Sequence, residues 1–554
     1  MKAMQVLSAA EMQACDRATT ERFGVPSIEL MRAASSAVAT FAREQFPRAR
    51  RVTVICGKGN NGGDGMMAAR LLADAGLEVT TLLLGEPEQL RGDAAAAWRE
   101  LTSPMHGQVH AVASAKELSR HNDAGKDALE ADLIVDAVLG TGFKPPLKGL
   151  GLAALEWLRG SRIPVPILAV DLPSGWPADE TAATIAGPVF PCDAVVTFTA
   201  PKPAHVFGQL TRGWDQPIVV APIGSPDAAI VSELKLDWSG SSLALAQTPR
   251  AAAVNKGNFG HVLVVGGTLG SAGGKAGAPA MAALAALRAG AGLVTAAVPA
   301  PALPVVASFA PELMTWPLAA TKEGQIAEKN LEPKQVDALT EGKTVLAIGP
   351  GLGQGAETVK FVTGLLSATR IPAVIDADAL NILAAKSVLL AKLAKGRTLV
   401  LTPHPGEMAR LAGISVAQVQ ANRLETAREF SRRVGVTLVL KGARTLIAHT
   451  DGRVAVNTSG NPGMAKGGSG DLLTGLIAGL LAQYADDPSH AVEAAVYLHG
   501  LAADLAVREG DERTLLATDC LAQLARAYQS RAHRFDAGGK NGYVWLQGAL
   551  HAAG

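Results

Sequence analysis

The stretch SGNPGMAKGGSGDLLTG, residues 459–475, sets a carboxylate directly after a run of glycines. Gly467, Gly468, Ser469 and Gly470 precede Asp471, and a strongly apolar helical pattern follows. Free backbone N–H groups at a helix start form an anion hole, and a carboxylate beside them can take the proton of an accepting hydroxyl. That pairing suits phosphoryl transfer. The plain alternative is an Asp N-cap, worth about 1 kcal/mol, but a cap alone does not need this run of glycines. A second stretch, GKGNNGGDG at 57–65, follows the strand pattern RVTVIC. The amides of Gly62, Gly63, Asp64 and Gly65 are expected to meet a phosphate at the positive end of a helix. The spacing is neither the dinucleotide GxGxxG nor a P-loop, which needs Gly-Lys-Ser/Thr. An Asn-rich turn that only caps a helix is the alternative.

Other strand ends carry oxygen ligands and charges. LIVDAVLGTGFKPP (133–146) puts Asp136 inside an apolar strand, and ILAVDLPSGWPAD (167–179) puts Asp171 at a strand end with Ser174 in the next turn. A carboxylate buried in a strand needs a charge partner or hydrogen bonds. Three adjacent loops would then supply Asn61, Asp136 and Ser174, the all-oxygen set a hard cation prefers. Asp171 is left as a candidate acid or base. In the second half, AIGPGLGQG (347–355), VIDADAL (374–380), LTPHPGEMARL (401–411) and VLKGARTLI (439–447) each end a strand. They place Asp376, Asp378, His404, Glu407 and Lys441 in a row of loops. Lys441 beside a tight turn could meet a nucleotide phosphate or stay solvated, and His404 between two prolines could be a rigid turn residue.

The elements that must position these residues alternate strand and helix. Strands are expected near 52–56, 78–84, 133–138, 166–170, 193–199 and 217–221, with helices near 8–45, 63–76, 92–101 and 149–160. After a polar, Gly- and Pro-containing lapse at 224–257 the pattern restarts. Strands are expected at 261–267, 292–298, 344–348, 373–376, 398–401, 436–440 and 445–448, and helices near 276–290, 355–367, 416–433, 470–484, 488–508 and 515–532. Continuous apolar strands separated by helices predict parallel sheets covered on both faces. At 554 residues the chain exceeds one ordinary domain. Two α/β domains are expected, at 1–225 and 241–554, with a linker at 226–240; the tail from 533 shows no pattern.

Composition narrows the partners. A formal net charge of +1 lacks the positive field that nucleic acid or an anionic membrane surface needs. The most apolar stretch, 275–299, is broken by Pro279 and Arg288 and reads as a buried helix and strand rather than a membrane span. The first residues lack the apolar core of a secretion signal. Four scattered cysteines argue against a disulfide framework or zinc site and for a reducing cytoplasm.

GNNGGDG, DAVLGTG and DLPSG, in that order within roughly residues 8–222, resemble the NAD(P)H-hydrate epimerase domain. The resemblance implies a Rossmann-like fold and epimerisation of NADH or NADPH hydrated on the nicotinamide ring. By position it implies substrate contacts at Asn60, Asn61, Gly62, Gly63 and Asp64 and at Gly140, Thr141, Gly142, Phe143, Lys144, Pro145 and Pro146. It also implies potassium (K+) ligands at Asn61, Asp136 and Ser174, and catalysis and substrate contact at Asp171. Ser35 in LMRAAS (30–35) stands where the family usually has Gly, which is expected to loosen the entry of the first loop.

NKGNFGHVLVVGG (255–267), GAPAMAALAALRAGAGLVT (277–295), GPGLG (349–353), DADAL (376–380), TPHPGE (402–407) and NPGMAKGGSGDLLTG (461–475) resemble the ADP/ATP-dependent NAD(P)H-hydrate dehydratase family over roughly 240–530. This implies a ribokinase-like fold. The reaction would phosphorylate the ring hydroxyl of the S hydrate from ADP or ATP, with Mg2+, and then eliminate phosphate. By position Asp471 is the base, and Ala278, Gly351, His404 and Asp471 contact the hydrate. Lys441, Gly442, Ala443, Arg444, Thr445 and Gly470 contact the nucleotide. Lys466 replaces a small or hydroxyl residue and is expected either to touch phosphate or to be solvated. Self-association is a further implication. The expected whole is a bifunctional repair enzyme for hydrated NADH and NADPH. The rival is a ribokinase-like small-molecule kinase joined to a non-catalytic Rossmann-like binding module.

Overall fold

The computed structural model describes residues 3–120, 130–160, 165–271, 273–530, 533–534 and 542–548. The chain forms two compact units: Met4–Leu236 with the tail strand Tyr543–Gln547, and Asp237–Ser530. The expected division thus shifts. Residues 226–236 belong to the first unit, where Ala229 joins a core cluster with Leu7 and Met12 and the Glu233 amide donates to Glu11 at 2.7 Å. The tail, patternless in sequence and expected with the second domain, also belongs to the first unit.

In the first unit the strands are β1 (Arg51–Cys56), β2 (Glu78–Leu84), β3 (Gln108–Val112), β4 (Leu133–Ala137), β5 (Ile167–Val170), β6 (Ala194–Phe198) and β7 (Ile218–Ala221). They lie in the order β3-β2-β1-β4-β5-β6-β7, all parallel. This is a Rossmann-like order, and it reverses between β1 and β4, where a crevice opens beyond the carboxyl ends. Strands β4 to β7 are buried throughout, as continuous apolar runs require. The expected helix over 8–45 divides into α1 (Ala9–Glu21) and α2 (Ser27–Gln45). Gly24, at φ 73°, and Pro26 end one and start the other, because proline cannot continue a helix from its amide. Helix α3 (Asn60–Asp74) starts in the crevice. The tail strand runs antiparallel to β7, with Val544 opposite Val220. Tyr543 stacks edge-on to Phe41 of α2 at 5.5 Å and donates its hydroxyl to the Ala37 carbonyl at 2.7 Å.

The second unit holds β8 (His261–Val265), β9 (Leu293–Pro299), β10 (Met314–Leu318), β11 (Val345–Ile348), β12 (Ala373–Ile375), β13 (Leu399–Leu401), β14 (Thr437–Leu440), β15 (Leu446–Ala448) and β16 (Val454–Val456). Their order is β16-β15-β14-β13-β12-β11-β8-β9-β10. Pairing is parallel from β10 to β14 and antiparallel from β14 to β16. The topology is ribokinase-like, and the order reverses between β8 and β11. Four helices start over this edge: α4 (Gly277–Arg288), α5 (Ala377–Ala384), α6 (Pro405–Ala412) and α7 (Ser469–Gln483). The apolar 275–299 stretch is a largely buried helix leading into β9. Among the described residues no helix is long and apolar enough to cross a membrane. Helix α7 crosses α4 closely: a Cβ on Gly475 would stand 2.0 Å from the Ala282 carbonyl oxygen, and one on Gly479 2.6 Å from that of Ala286. Glycine at both positions lets the backbones touch and fixes where α7 begins.

Candidate active sites

A cavity of about 980 Å³ opens at the crevice of the first unit. Asp171 stands in its wall at the end of β5, buried and held at φ 65°. That left-handed conformation is strained for a side chain other than glycine, and the surroundings hold it. The Asp171 amide donates to the Val196 carbonyl at 2.8 Å, and His205 Nε2 meets the Asp171 carbonyl at 2.7 Å. The carboxylate takes Lys202 Nζ and Thr197 Oγ1 on Oδ1, both at 2.9 Å, and the Thr141 amide on Oδ2 at 2.8 Å. The Thr141 hydroxyl also donates to Oδ2. Burial acts to raise this carboxyl, but the Lys202 charge, helped by His205 and Thr141, outweighs it and holds Asp171 well below the usual carboxylate range.

Lys202 was not among the residues singled out from sequence. It is fully buried, and its ammonium also bonds Thr197 Oγ1 at 2.8 Å. The signal was a lysine between two prolines, APKPAH, just beyond an apolar strand. Asp64 faces the same cavity, half-buried. Burial first, then the charges of Asp171, Asp16 and Asp93, push it well above the ordinary value. Two carboxyls of the first cavity are thus driven in opposite directions, Asp171 down and Asp64 up.

Asn60, Asn61, Gly140, Thr141, Gly142 and Phe143 line this cavity with Asp64 and Asp171, whereas Gly62, Gly63, Lys144, Pro145 and Pro146 lie outside its wall. Helix α3 starts three residues earlier than expected, so the Gly63 amide already donates to the Gly59 carbonyl at 3.0 Å. The amides without an intrahelical acceptor are those of Asn60, Asn61 and Gly62. The glycines serve close packing: a Cβ on Gly62 would lie 1.8 Å from the Gly57 oxygen, and one on Gly65 2.4 Å from Ala137. Gly140 likewise leaves room for Asn61 and Asp171, whose oxygens would lie 2.8 and 2.9 Å from its Cβ.

Asp136 is fully buried beneath the cavity and bonded by Ser174 Oγ at 2.6 Å and the Ser174 amide at 2.8 Å. Burial pushes it up to about 6, against those hydrogen bonds. The Asn61 side-chain nitrogen is buried without a partner. Ser35 sits inside α2 and donates to the Met31 carbonyl at 2.7 Å.

In the second unit a pocket of about 480 Å³ brings Ala278, Gly351 and Asp471 together, with Lys275, Asp378 and Glu407. First-turn residues of α4, α5, α6 and α7 all contribute to its wall. Four positive helix ends converge on one space, which favours a polyanion and steadies the carboxylates. Asp376 lies behind the wall, fully buried, held by Lys441 Nζ at 2.9 Å and Thr474 Oγ1 at 2.8 Å. Burial, then the Asp376 charge, push Asp471 up to about 6; Lys441 and Lys275 act the other way. At that value Asp471 is ionised at neutral pH and basic enough to accept a proton.

Lys441 is neither solvated nor free. Besides Asp376 it has Glu407 at 4.0 Å, and a Cβ on Gly470 would stand 3.4 Å from its nitrogen. Lys441 and Gly470 therefore adjoin at the start of α7. The turn after Lys441 is tight, with Gly442 at φ 136° and Arg444 at φ 55°. His404, Lys441, Gly442, Ala443, Arg444, Thr445 and Gly470 lie outside the wall of this pocket. His404 caps α6: its Nδ1 accepts from the amides of Gly406 at 3.0 Å and Glu407 at 3.4 Å, and Glu407 returns a bond to the His404 amide at 2.8 Å. Lys466 donates to the Arg513 carbonyl and is otherwise exposed.

Sequence models of two families match the chain: YjeF-related protein N-terminus over residues 27–204, and NAD(P)H-hydrate dehydratase over 262–526. The bifunctional NAD(P)H-hydrate repair enzyme Nnr of Moorella thermoacetica is 42% identical, over 94% of this chain and 95% of that protein. The corresponding protein of Coxiella burnetii is 37% identical, over 90% and 95%. Among solved structures, the ADP/ATP-dependent NAD(P)H-hydrate dehydratase of Bacillus subtilis, co-crystallised with ATP/Mg2+, is 34% identical. It covers 52% of this chain and 96% of its own at a TM-score of 0.43.

Proposed function

The chain belongs to the family of bifunctional NAD(P)H-hydrate repair enzymes, and we propose that it restores hydrated NADH and NADPH in two steps, one in each unit. The first unit interconverts the R and S hydrates. The second consumes the S hydrate with ADP. The observation that carries this reading is that each unit gathers its own acid–base aspartate and glycine loops into one cavity, on a chain aligned with such enzymes over 94% of its length.

Epimerisation breaks the C–O bond at the hydroxylated ring carbon and remakes it on the other face. Hydroxide leaves poorly, so the step needs a proton donor and then an acceptor. Asp64, whose hold on a proton is strengthened by burial and by the charges of Asp171, Asp16 and Asp93, supplies the first proton, and the departing group leaves as water. The ring nitrogen's electron pair steadies the cation. A water then attacks the opposite face and gives its proton to Asp171, kept ionised by Lys202. The free amides of Asn60, Asn61 and Gly62 bind substrate phosphate. Asn61, Asp136 and Ser174 suit a potassium ion: an all-oxygen set carrying one buried negative charge with no cationic partner among the described residues,. Bound there, the ion would supply positive charge beside the substrate.

In the second unit Asp471 takes the proton of the S-hydrate hydroxyl as its oxygen attacks the terminal phosphorus of ADP. The bridging P–O bond breaks and AMP leaves. The ring carbon then loses phosphate, a far better leaving group than hydroxide, and its neighbour loses a proton, restoring the double bond. Mg2+ would be held through the nucleotide phosphates, as is usual for this ion. All four cysteines are free and buried, which supports a reducing, cytoplasmic setting.

Each epimer is tested separately with ADP while NADH absorbance is followed. The S hydrate should recover only with ADP, and the R hydrate faster than it epimerises unaided. Failure to recover either, with stable phosphorylation of an unrelated alcohol, would sink the reading in favour of a kinase.

A further inference from the structure

The wall of the second pocket carries three carboxylates, Asp378, Glu407 and Asp471, and one cationic side chain, Lys275. Phosphoryl transfer brings more negative charge into this space, spread over the equatorial oxygens of the moving group. Helix starts offset part of it, but a mobile full charge does more. Lys441 is committed elsewhere, held by Asp376 at 2.9 Å and facing Glu407.

Lys275 is placed differently. Its amide donates to the Thr268 carbonyl at 2.7 Å, and its carbonyl lies so close to Gly351, at φ 66°, that a Cβ there would approach it to 2.7 Å. The backbone is therefore fixed against a residue of the substrate pocket. The tip is not fixed. Lys275 Nζ stands 3.7 Å from Asp378 Oδ2, outside hydrogen-bond reach, and the side chain is 62% exposed. Asp378 is itself held in place, accepting from the Gly353 amide at 2.9 Å and Gln354 Nε2 at 3.0 Å. Two residues later α4 begins, and its first-turn residues Gly277 and Ala278 face the same pocket.

We propose that Lys275 is a catalytic cation of the second site, meeting the phosphoryl group as it passes from ADP to the ring hydroxyl. Asp471 removes the hydroxyl proton while Lys275 carries charge on the transferred oxygens; the bridging P–O bond breaks and AMP departs with its electrons. The inference rests on the dehydratase reading of this site.

The test is steady-state kinetics of the full chain with the S hydrate and ADP. Lys275→Gln should lower kcat by roughly 10²-fold, the low end of what losing one donor to the transition-state charge costs, with KM for hydrate and ADP little changed. Lys275→Arg should recover most of the rate. An unchanged kcat in Lys275→Gln overturns the proposal. So does a raised hydrate KM with kcat intact, which would make Lys275 a ground-state contact to the dinucleotide. A wild-type chain that dehydrates no hydrate would instead overturn the underlying reading, so the two failures are distinguishable.

Discussion

Asp171 and Asp471 each line a cavity beyond the carboxyl ends of a parallel sheet, yet their surroundings drive them apart. Asp171 rests on a buried ammonium, with threonine donors on both oxygens, and stays ionised far into acid. Asp471 has a second carboxylate behind it and two lysines that only partly offset burial, and it sits at about 6. The same residue type is held ionised far into acid in one place and titrates at about 6 in the other. Burial raises both; at Asp171 a lysine in contact overrides it, and at Asp471 a second aspartate adds to it.

The contrast is broken most forcefully at Asp471. Asp471→Asn should lower dehydration by roughly 10³-fold, within the range for loss of a general base, while R-to-S epimerisation on the same chain stays at the wild-type rate. The pH profiles should separate as well. Dehydration needs Asp471 ionised, so it should fall as pH drops through about 6; epimerisation should not lose its carboxylate there. A common acid limb for both activities, measured in saturating potassium so that Asp136 stays ionised, would refute the contrast. Stability should move the other way. A carboxyl raised in the fold penalises folding above that pH and not below the unfolded value. Asp471→Asn should therefore melt higher than wild type at pH 8, with the gap closing as pH falls through about 6 toward 4.

Next in size is Lys202→Met. Removing one partner of a buried pair costs about 3–5 kcal/mol, and thermal melts should show it. The sign with pH is informative. In the wild type Asp171 is depressed, so its contribution is present above the unfolded carboxylate value and persists until pH falls far below it,. Without Lys202 burial dominates and Asp171 is raised, so the variant should lose stability as pH rises instead. Adding Asp171→Asn should return much of the loss. A variant as stable as wild type, with no change in pH slope, would make Lys202 irrelevant to Asp171.

How far these features could be read in sequence depended on whether a residue announced itself locally. The glycine loops did, because glycine is dictated by close packing and by unusual backbone angles at the very turns that hold ligands. Asp136, Ser174 and Asp171 followed from strands and the turns after them, and Asp471 from the glycine run before its helix. Lys202 did not, since a lysine between prolines reads as surface until the fold buries it beneath Asp171. Helix α3 takes in Asn60 and Asn61, residues that usually precede helices, so the amides left over at its start are those of Asn60, Asn61 and Gly62 rather than Gly62 to Gly65. Strands β3 and β10 lie at sheet edges, half in solvent, so they lack the continuous apolar run of the inner strands. The tail strand packs Tyr543 and Trp545 against Phe41, a partner some five hundred residues away that no local pattern reveals.

The smallest expected effect distinguishes two uses of a helix start. Gly59 precedes α3 without a side-chain cap, leaving the amides of Asn60, Asn61 and Gly62 for a ligand. Helix α6 spends its amides on its own His404. A ring nitrogen that accepts two N–H bonds must be unprotonated, and burial, helped by Lys441 and Arg410, lowers the His404 pKa accordingly. Its stabilising contribution should be full above the unfolded imidazole value of about 6.5 and be lost as pH falls below it. His404→Ala should cost about 1 kcal/mol, as other lost caps do, and His404→Asn, which can still cap, should cost less. Neither should change KM for the S hydrate if capping is the whole role. A KM raised about tenfold in both variants, with melting temperature unmoved, would return His404 to the substrate contacts implied by the family resemblance and leave α6, like α3, a ligand-binding helix start.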